Sequence, residues 1–172
     1  MREYFTEAVV LESGPAGSQD RFVDLYTREF GRLRAKVVGG RKITSKLSPH
    51  LEKGNLVEVR LVEKNRFTVA DVISKKRFGK NLAVFEVLFL LKSLLPELVS
   101  DLRLWHGLLH GLRQANPDKK VFLKLLGYNS IFAVCDSCGA GKVKYFSAGD
   151  QVFLCEKCSS RIRSHRIKII SI

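Results

Sequence analysis

The chain has little of what several classes of protein require. Its longest apolar run, residues 82–91, is interrupted by Glu86 and is too short to cross a bilayer. The first residues, MREYFTEAVV, carry acids among the apolar side chains, unlike a secretory signal. No serine elbow, carboxylate pair or phosphate-gripping glycine loop stands out. We therefore expect a cytoplasmic protein that has no membrane partner and is not an enzyme.

Acidic side chains are also scarce. The 172 residues hold 17 Asp and Glu against 30 Lys and Arg, a net charge of +13. The excess lies mainly before residue 80 and after residue 133. Such an excess predicts attraction to polyanions, of which nucleic acid is the commonest in the cytoplasm, although solubility alone is the competing explanation.

The first 78 residues alternate short β-branched segments with turns. The pattern predicts strands at residues 6–12, 21–28, 32–38, 56–63 and 67–74. Five short strands in this length predict a small β-barrel. The connection between the third and fourth strands is longer than a hairpin loop, and an OB-fold carries a helix or a long connection there. We therefore expect an OB-fold.

Helical spacing of apolar residues begins after residue 80. Residues 82–95 predict a buried helix, and Pro96 suits the first turn of a second helix. A third helix is predicted with Asn116 as its cap, Pro117 at its first position and Gly127 as its stop. Three helices with a shared apolar face predict a compact helical domain.

All four cysteines lie within residues 135–158, as two Cys-x-x-Cys pairs separated by sixteen residues. Cytoplasmic thiols stay reduced, so two disulfides are not expected, and redox chemistry would need only one pair. Four thiolates at this spacing are typical of a zinc ribbon, with hairpin strands near residues 143–146 and 152–154. The sequence predicts one structural Zn²⁺, with no open coordination position, held by Cys135, Cys138, Cys155 and Cys158.

These parts predict an α+β fold in which an N-terminal OB-fold β-barrel is followed by a small helical domain with an embedded zinc ribbon. The expected divisions are residues 1–78 for the nucleic-acid-binding barrel and 79–132 for the helices. Residues 133–160 would form the ribbon. Residues 161–172 would form a basic tail, with Arg161, Arg163 and Arg166, that packs on the helical domain.

The third predicted strand alternates cations with apolar residues. Period 2 places Arg32, Arg34 and Lys36 on one face of the strand and its apolar residues on the other. Phe22 and Tyr26 on the preceding strand could stack bases there, but burial in the core is favoured because most strand aromatics are buried. The predicted nucleic-acid-binding cations are Arg28, Arg32, Arg34, Lys36, Arg41, Lys42, Lys46, Lys75, Lys76 and Arg77, with Lys80 beside the last three.

Two stretches carry a family resemblance. They are TREFGRLRAKVVGGRKITSKLSPHL at residues 27–51 and FLKLLGYNSIFAVCDSCGA at residues 122–140. With barrel, helices and ribbon in this order, the chain resembles the RecO family of bacterial recombination mediators. Only fourteen residues follow Cys158, whereas members of that family usually continue with more helix.

The resemblance implies a function in DNA repair and recombination. It implies binding of single- and double-stranded DNA, annealing of complementary strands, and cytoplasmic, nucleoid-associated localisation. It also implies partnership with RecR and with the C-terminal tail of single-stranded-DNA-binding protein, and indirectly with RecA. Two alternatives remain open: a basic RNA- or ribosome-associated protein, and a zinc-stapled adaptor that binds another protein.

Overall fold

The N-terminal part is a closed five-stranded barrel. The structure, a computed structural model, describes residues 1–78, 81–114, 116–162 and 169–172. The strand order around the barrel is β1-β2-β3-β5-β4, with β3 parallel to β5 and the other pairs antiparallel. This is the topology of an OB-fold, as predicted. The strands are β1 (Arg2–Ala16), β2 (Asp20–Thr27), β3 (Gly31–Val37), β4 (Asn55–Glu63) and β5 (Phe67–Arg77).

Alternating side chains divide each strand between the barrel core and the outside. On β3, Leu33, Ala35 and Val37 are buried in the core, and the cations between them point outward, as the period predicted. Strand β1 is longer than predicted because its first half pairs with β4 and its second half with β2. Residues 38–54 connect β3 to β4 by turns, from which Leu47 and Leu51 pack against the barrel core.

Three helices follow the barrel: α1 (Leu82–Leu94), α2 (Leu102–Leu112) and α3 (Lys119–Leu125). The prediction of α1 is confirmed, but the predicted start of α2 at Pro96 is wrong. Residues 97–100 instead lie along β3, where the Leu98 amide donates to the Arg32 carbonyl. Helix α2 begins after Asp101, whose carboxylate accepts from the amides of Arg103 and Leu104.

Helix α3 also begins later than predicted. Its cap is Asp118, whose side chain accepts from the Lys120 amide, so Asn116 and Pro117 precede the helix. The expected stop is confirmed. Gly127 follows the helix with φ +93°, a conformation that glycine adopts without steric cost.

The cysteine-rich part is a small three-stranded sheet with one helix. The elements are β6 (Tyr145–Ser147), β7 (Val152–Leu154), α4 (Glu156–Ile162) and β8 (Ile169–Ser171), and the sheet order is β7-β6-β8. The hairpin was predicted correctly, although its first strand begins two residues later than expected. Arg163 and Arg166 of the predicted tail lie outside the described residues, and β8 joins this sheet.

The helices lie between the barrel and the ribbon. One apolar cluster joins Val9 and Tyr26 on the outside of the barrel to Leu88 and Trp105 of the helices. A second joins Leu90 and other helix residues to the ribbon sheet, including Phe146 and Ile170. Among the described residues, no helix is long and apolar enough to span a membrane.

Candidate nucleic-acid interface and metal centre

A cleft of about 530 Å³ opens at the end of the barrel where β3 finishes. Two hairpin connections flank it, the β1–β2 turn and the β4–β5 turn. In OB-folds these two loops and the face of β2 and β3 form the usual site for oligonucleotides. We call this site the barrel cleft; it is lined by Ala16, Arg21, Phe22, Arg34, Ala35, Lys36, Arg66 and Phe67.

Arg34 is held rigidly at the wall of the barrel cleft. Its Nε and Nη2 atoms donate to the two carboxylate oxygens of Asp24 at 2.8 and 3.0 Å. Donation to the Asp24 carboxylate raises the pKa of Arg34 above its ordinary value. The guanidinium carbon also lies 4.5 Å from the ring centroid of Phe22. Arg34 therefore has a fixed orientation, and a carboxylate compensates its charge.

The other two cations of β3 are paired as well. Lys36 Nζ lies 2.7 Å from a carboxylate oxygen of Asp20, and this hydrogen bond lowers the pKa of Asp20, with a smaller contribution from the Gly39 amide. Arg32 donates to Glu97 and to the backbone carbonyl of Lys92, and only 18% of its side chain is exposed. The structure brings Arg34 and Lys36 to the barrel cleft, but Arg32 packs against the segment before α2.

Unpaired cations lie on and beside the connections around the cleft. Arg21 donates to the hydroxyl of Ser13, and Arg66 has no ion-pair partner among the described residues. A second groove of about 420 Å³ shares Arg21 and is lined also by Arg41 and Lys42. We call it the loop groove. Arg41 donates to the Gly17 carbonyl, which ties this loop to the β1–β2 turn without compensating its charge.

The remaining predicted cations lie elsewhere. Lys46 is exposed on the loop that carries Arg41 and Lys42, and Arg28 is exposed in the β2–β3 turn. Lys75 bridges Glu7 and Glu58 at 3.1 and 2.8 Å on the outer face of β1, β4 and β5.

The carboxylate of Glu58 and, to a smaller extent, that of Glu7 raise the pKa of Lys75. Lys76 and Arg77 end β5, with Lys76 lying over the ring of Phe78. Lys80 lies outside the described residues.

The two aromatic residues of β2 have different environments. Tyr26 is fully buried against Trp105 and donates to the Asp101 carbonyl, so it belongs to the core. Its burial raises its pKa to about 12. Phe22 is half-buried at the cleft, with its ring over Gly14, where a Cβ atom would lie 2.7 Å from the ring. Only Phe22 is near the candidate interface.

Sequence reasoning missed Arg21, Arg66 and Phe67. The local pattern predicts only a turn at residues 64–66, and it predicts Arg21 and Phe67 only as strand residues. The predicted OB-fold is sufficient to identify these residues as candidates, because that topology places the β1–β2 and β4–β5 connections on the same side of β3. Cations next to those two turns are therefore candidates whenever an OB-fold is predicted.

The four cysteines form one cluster. Their sulfur atoms all lie within 4.8 Å of one another, and Cys138 Sγ lies 3.7 Å from Cys155 Sγ. Disulfide sulfurs would be about 2.05 Å apart, whereas ligands about 2.3 Å from a tetrahedral ion are separated by about 3.8 Å. The geometry therefore suits a metal ion. Gly139 follows the first pair with φ +71°, and its amide donates to the Cys135 carbonyl to close the turn.

Backbone amides favour a thiolate at this centre. The Cys155 amide, followed by those of Cys138 and Ser137, lowers the pKa of Cys135 to about 6. Hydrogen bonds with the thiols of Cys138 and Cys155 raise the pKa of Cys158 to about 12. Four sulfurs this close can all be thiolates only when a cation lies between them.

Comparison with known proteins gives concordant matches. Residues 1–74 match the family model described as Recombination protein O N terminal. DNA repair protein RecO of Cutibacterium acnes is 40% identical over 73 residues, which cover 42% of this chain and 30% of that protein. DNA repair protein RecO of Thermoanaerobacter sp. (strain X514) is 26% identical over 181 residues, which cover 94% of this chain and 73% of that protein.

A third protein of this name, from Frankia casuarinae, is 38% identical over 88 residues. These cover 49% of this chain and 35% of that protein. The chain thus spans about a third of the length of the first curated relatives it matches. The match to the Thermoanaerobacter protein extends through the helices and the ribbon. Residues 1–74 thus match the family model of the RecO N-terminal domain, and the chain is similar over most of its length to proteins named DNA repair protein RecO.

Proposed function

We propose that this chain is a non-enzymatic DNA-binding protein that uses the barrel cleft and the loop groove to hold DNA strands. The observation that carries the proposal is the concentration of unpaired cations at this end of the barrel: Arg21, Arg41, Lys42 and Arg66. Binding of phosphates by these side chains gains free energy mainly from the release of condensed counterions. Phosphate contacts carry no sequence information, so we expect little sequence preference.

Strand annealing follows from the same surface. Two complementary single strands repel each other through their phosphates, and a shared cationic surface weakens that repulsion. Annealing then accelerates although the protein makes and breaks no covalent bond. We propose that the chain binds both single- and double-stranded DNA in this way, in the cytoplasm and associated with the nucleoid.

The resemblance to RecO supports a place in recombination. We propose that the chain acts with RecR and with the C-terminal tail of single-stranded-DNA-binding protein, so that RecA can load on the exposed strand. The proposal is tested by annealing assays on strands coated with that binding protein, with and without RecR. Equal annealing of strands coated with the intact binding protein and with that protein lacking its C-terminal tail would contradict this part.

We propose that Cys135, Cys138, Cys155 and Cys158 hold a structural Zn²⁺. The ion would link the two Cys-x-x-Cys turns, since the small cluster around Leu154 buries too little apolar surface to hold them alone. Metal analysis should return one zinc per chain. Chelation or Cys155→Ser should release it and increase amide hydrogen exchange in residues 135–158, while the barrel strands stay protected. Unchanged exchange after metal loss would contradict a structural role.

The DNA-binding proposal is tested by titrating labelled oligonucleotides with the purified chain and measuring fluorescence anisotropy. Contact with about five phosphates predicts a log–log salt slope of about −3.5 for single strands. A slope near zero would contradict the electrostatic mechanism. RNA of the same sequence serves as the competitor, and tighter binding of RNA would favour the ribosome-associated alternative.

A further inference from the structure

We propose that the exposed face of the Arg34 guanidinium is a stacking platform for one unpaired nucleobase in the barrel cleft. The inference rests on the proposed DNA binding and specifies which part of the DNA enters the cleft. It assigns Arg34 to a base, and it leaves the phosphates to the unpaired cations around the cleft.

Arg34 cannot reorient easily. Two parallel hydrogen bonds join its guanidinium to Asp24, whose side chain is only 1% exposed. Breaking this pair to reach a phosphate would leave a buried carboxylate without its best partner, which is costly. Lys92 is a poor substitute because its Nζ lies 3.9 Å from Asp24. A planar group is thus fixed at the wall of the cleft.

An aromatic ring lies behind the Arg34 guanidinium. The ring of Phe22 lies 4.5 Å from the guanidinium carbon, within the range of a cation–π contact. Gly14 lies behind Phe22 and leaves space for the ring, because any side chain at that position would collide with it. The wall is therefore built in layers, with backbone first, an aromatic ring second and the guanidinium outermost.

The outermost layer, the Arg34 guanidinium, is open to the cleft. The Arg34 side chain is 52% exposed and contributes to the lining of the 530 Å³ space. A guanidinium whose edge is engaged by a carboxylate still presents a flat face, and such faces stack on nucleobases. Arg21 and Arg66 line the same cleft, where they can contact the phosphates on either side of a bound base.

The chemical class of the ligand follows from stacking. In a duplex, both faces of an internal base are covered by its neighbours, so only an unpaired or extruded base can lie on Arg34. Stacking tolerates all four bases because each has a π-face. The cleft should therefore favour single strands over duplexes without selecting a sequence.

The experiment compares three ligands and two variants of the full chain. The ligands are a single strand, the same strand with every base in its central segment replaced by abasic sites, and a duplex. Arg34→Lys keeps the positive charge near Asp24 but removes the planar face. Arg66→Gln is the matched control, because it removes a charge and leaves the stacked layers intact.

We expect Arg34→Lys to weaken binding of the base-containing strand about tenfold, the order found for loss of one stacked base. It should affect the abasic strand and the duplex about twofold or less and leave the salt slope unchanged. Arg66→Gln should weaken binding of all three ligands and reduce the slope on single strands by about 0.7. Equal losses on intact and abasic strands with Arg34→Lys, or a reduced slope, would overturn the proposal and assign Arg34 to a phosphate.

A measurement on the unmodified chain guards against misfolding of the variant. An oligonucleotide whose central segment is fully abasic is compared with one that keeps a single base there, and the single base should tighten binding about tenfold because it stacks on Arg34. Equal affinity for the two oligonucleotides would overturn the stacking proposal while leaving DNA binding intact. If the chain binds none of the oligonucleotides, the proposed function fails as well, so the two failures are distinguishable.

Discussion

The cations on strand β3 and those on the connections around the barrel cleft are the same residue types in different electrostatic environments. Arg32, Arg34 and Lys36 each have a carboxylate within about 3 Å. On the connections, Arg41 bonds only a neutral carbonyl, and Lys42 has no ion-pair partner among the described residues. A paired cation behaves as part of a dipole, whose field falls off faster with distance than that of a free charge.

The net charge of a strand face depends on the acids of neighbouring elements as well as on the strand's own cations. The charge pattern on β3 predicts a cationic face, yet carboxylates from β2 and from the segment before α2 make that face close to neutral. The turns instead carry cations, such as Arg41 and Arg66, that have no ion-pair partner among the described residues. The proposed long-range attraction of DNA depends on that uncompensated charge.

The largest loss of DNA affinity is expected when three unpaired cations are removed together. Arg41→Gln, Lys42→Gln and Arg66→Gln in one chain should weaken single-strand binding about a hundredfold near 0.1 M salt and reduce the salt slope by about 2, because about three counterions are no longer released. Anisotropy titrations over a range of salt concentrations measure both. A loss below about threefold would place the DNA elsewhere.

A smaller effect of opposite sign is expected when an acid is removed. Asp20→Asn should release Lys36 from its ion pair and keep an oxygen for the Gly39 amide, which donates to Asp20 at 2.8 Å. Affinity for single strands should rise about fivefold, with a slope steeper by about 0.7. Unchanged affinity in the same titration would mean that Lys36 does not face the bound strand.

A further variant removes the whole ion pair between Asp20 and Lys36. The double variant Asp20→Asn with Lys36→Gln changes no net charge, so single-strand affinity should stay within about twofold of the original chain. The matched control is Lys42→Gln with Arg41→Gln, which removes two unpaired charges. A large loss in the first double variant would show that Lys36 contacts phosphate directly in spite of its pair.

The smallest effect on DNA is expected at Lys75. This residue lies on the outer face of β1, β4 and β5, where it bridges two carboxylates that face each other across the strands. Lys75→Gln should leave DNA affinity within about twofold, and it should lower the midpoint of thermal unfolding slightly because Glu7 and Glu58 then repel each other. Strong loss of DNA binding would extend the interface to this face.

Much of the fold could be predicted from local patterns. The alternation on β3, the turn residues between strands and the spacing of the cysteines each reflect interactions within a few residues. The starts of α2 and α3 could not be derived in this way. The segment before α2 is held against β3, where Gly31 lies so close to the Val99 carbonyl that no side chain would fit between them.

The pairing of the β3 cations was partly predictable. The tight turn between β2 and β3 fixes the register of the hairpin, which places Asp24 directly opposite Arg34. The alternation on β3 alone does not include this register, so it predicts the cations without the acids of β2 that pair with them. The contact of Arg32 with Glu97 joins residues 65 positions apart and depends on how the helices pack, so no local pattern indicates it.

The most direct test of the account is amide hydrogen exchange of the full chain with and without a single-stranded oligonucleotide. Binding at the barrel cleft and loop groove predicts slower exchange in residues 17–22, 39–46 and 64–68. Exchange in residues 58–60 and 71–75, on the outer face of β4 and β5, should not change. Protection of that outer face with no change in the three connecting segments would contradict the account.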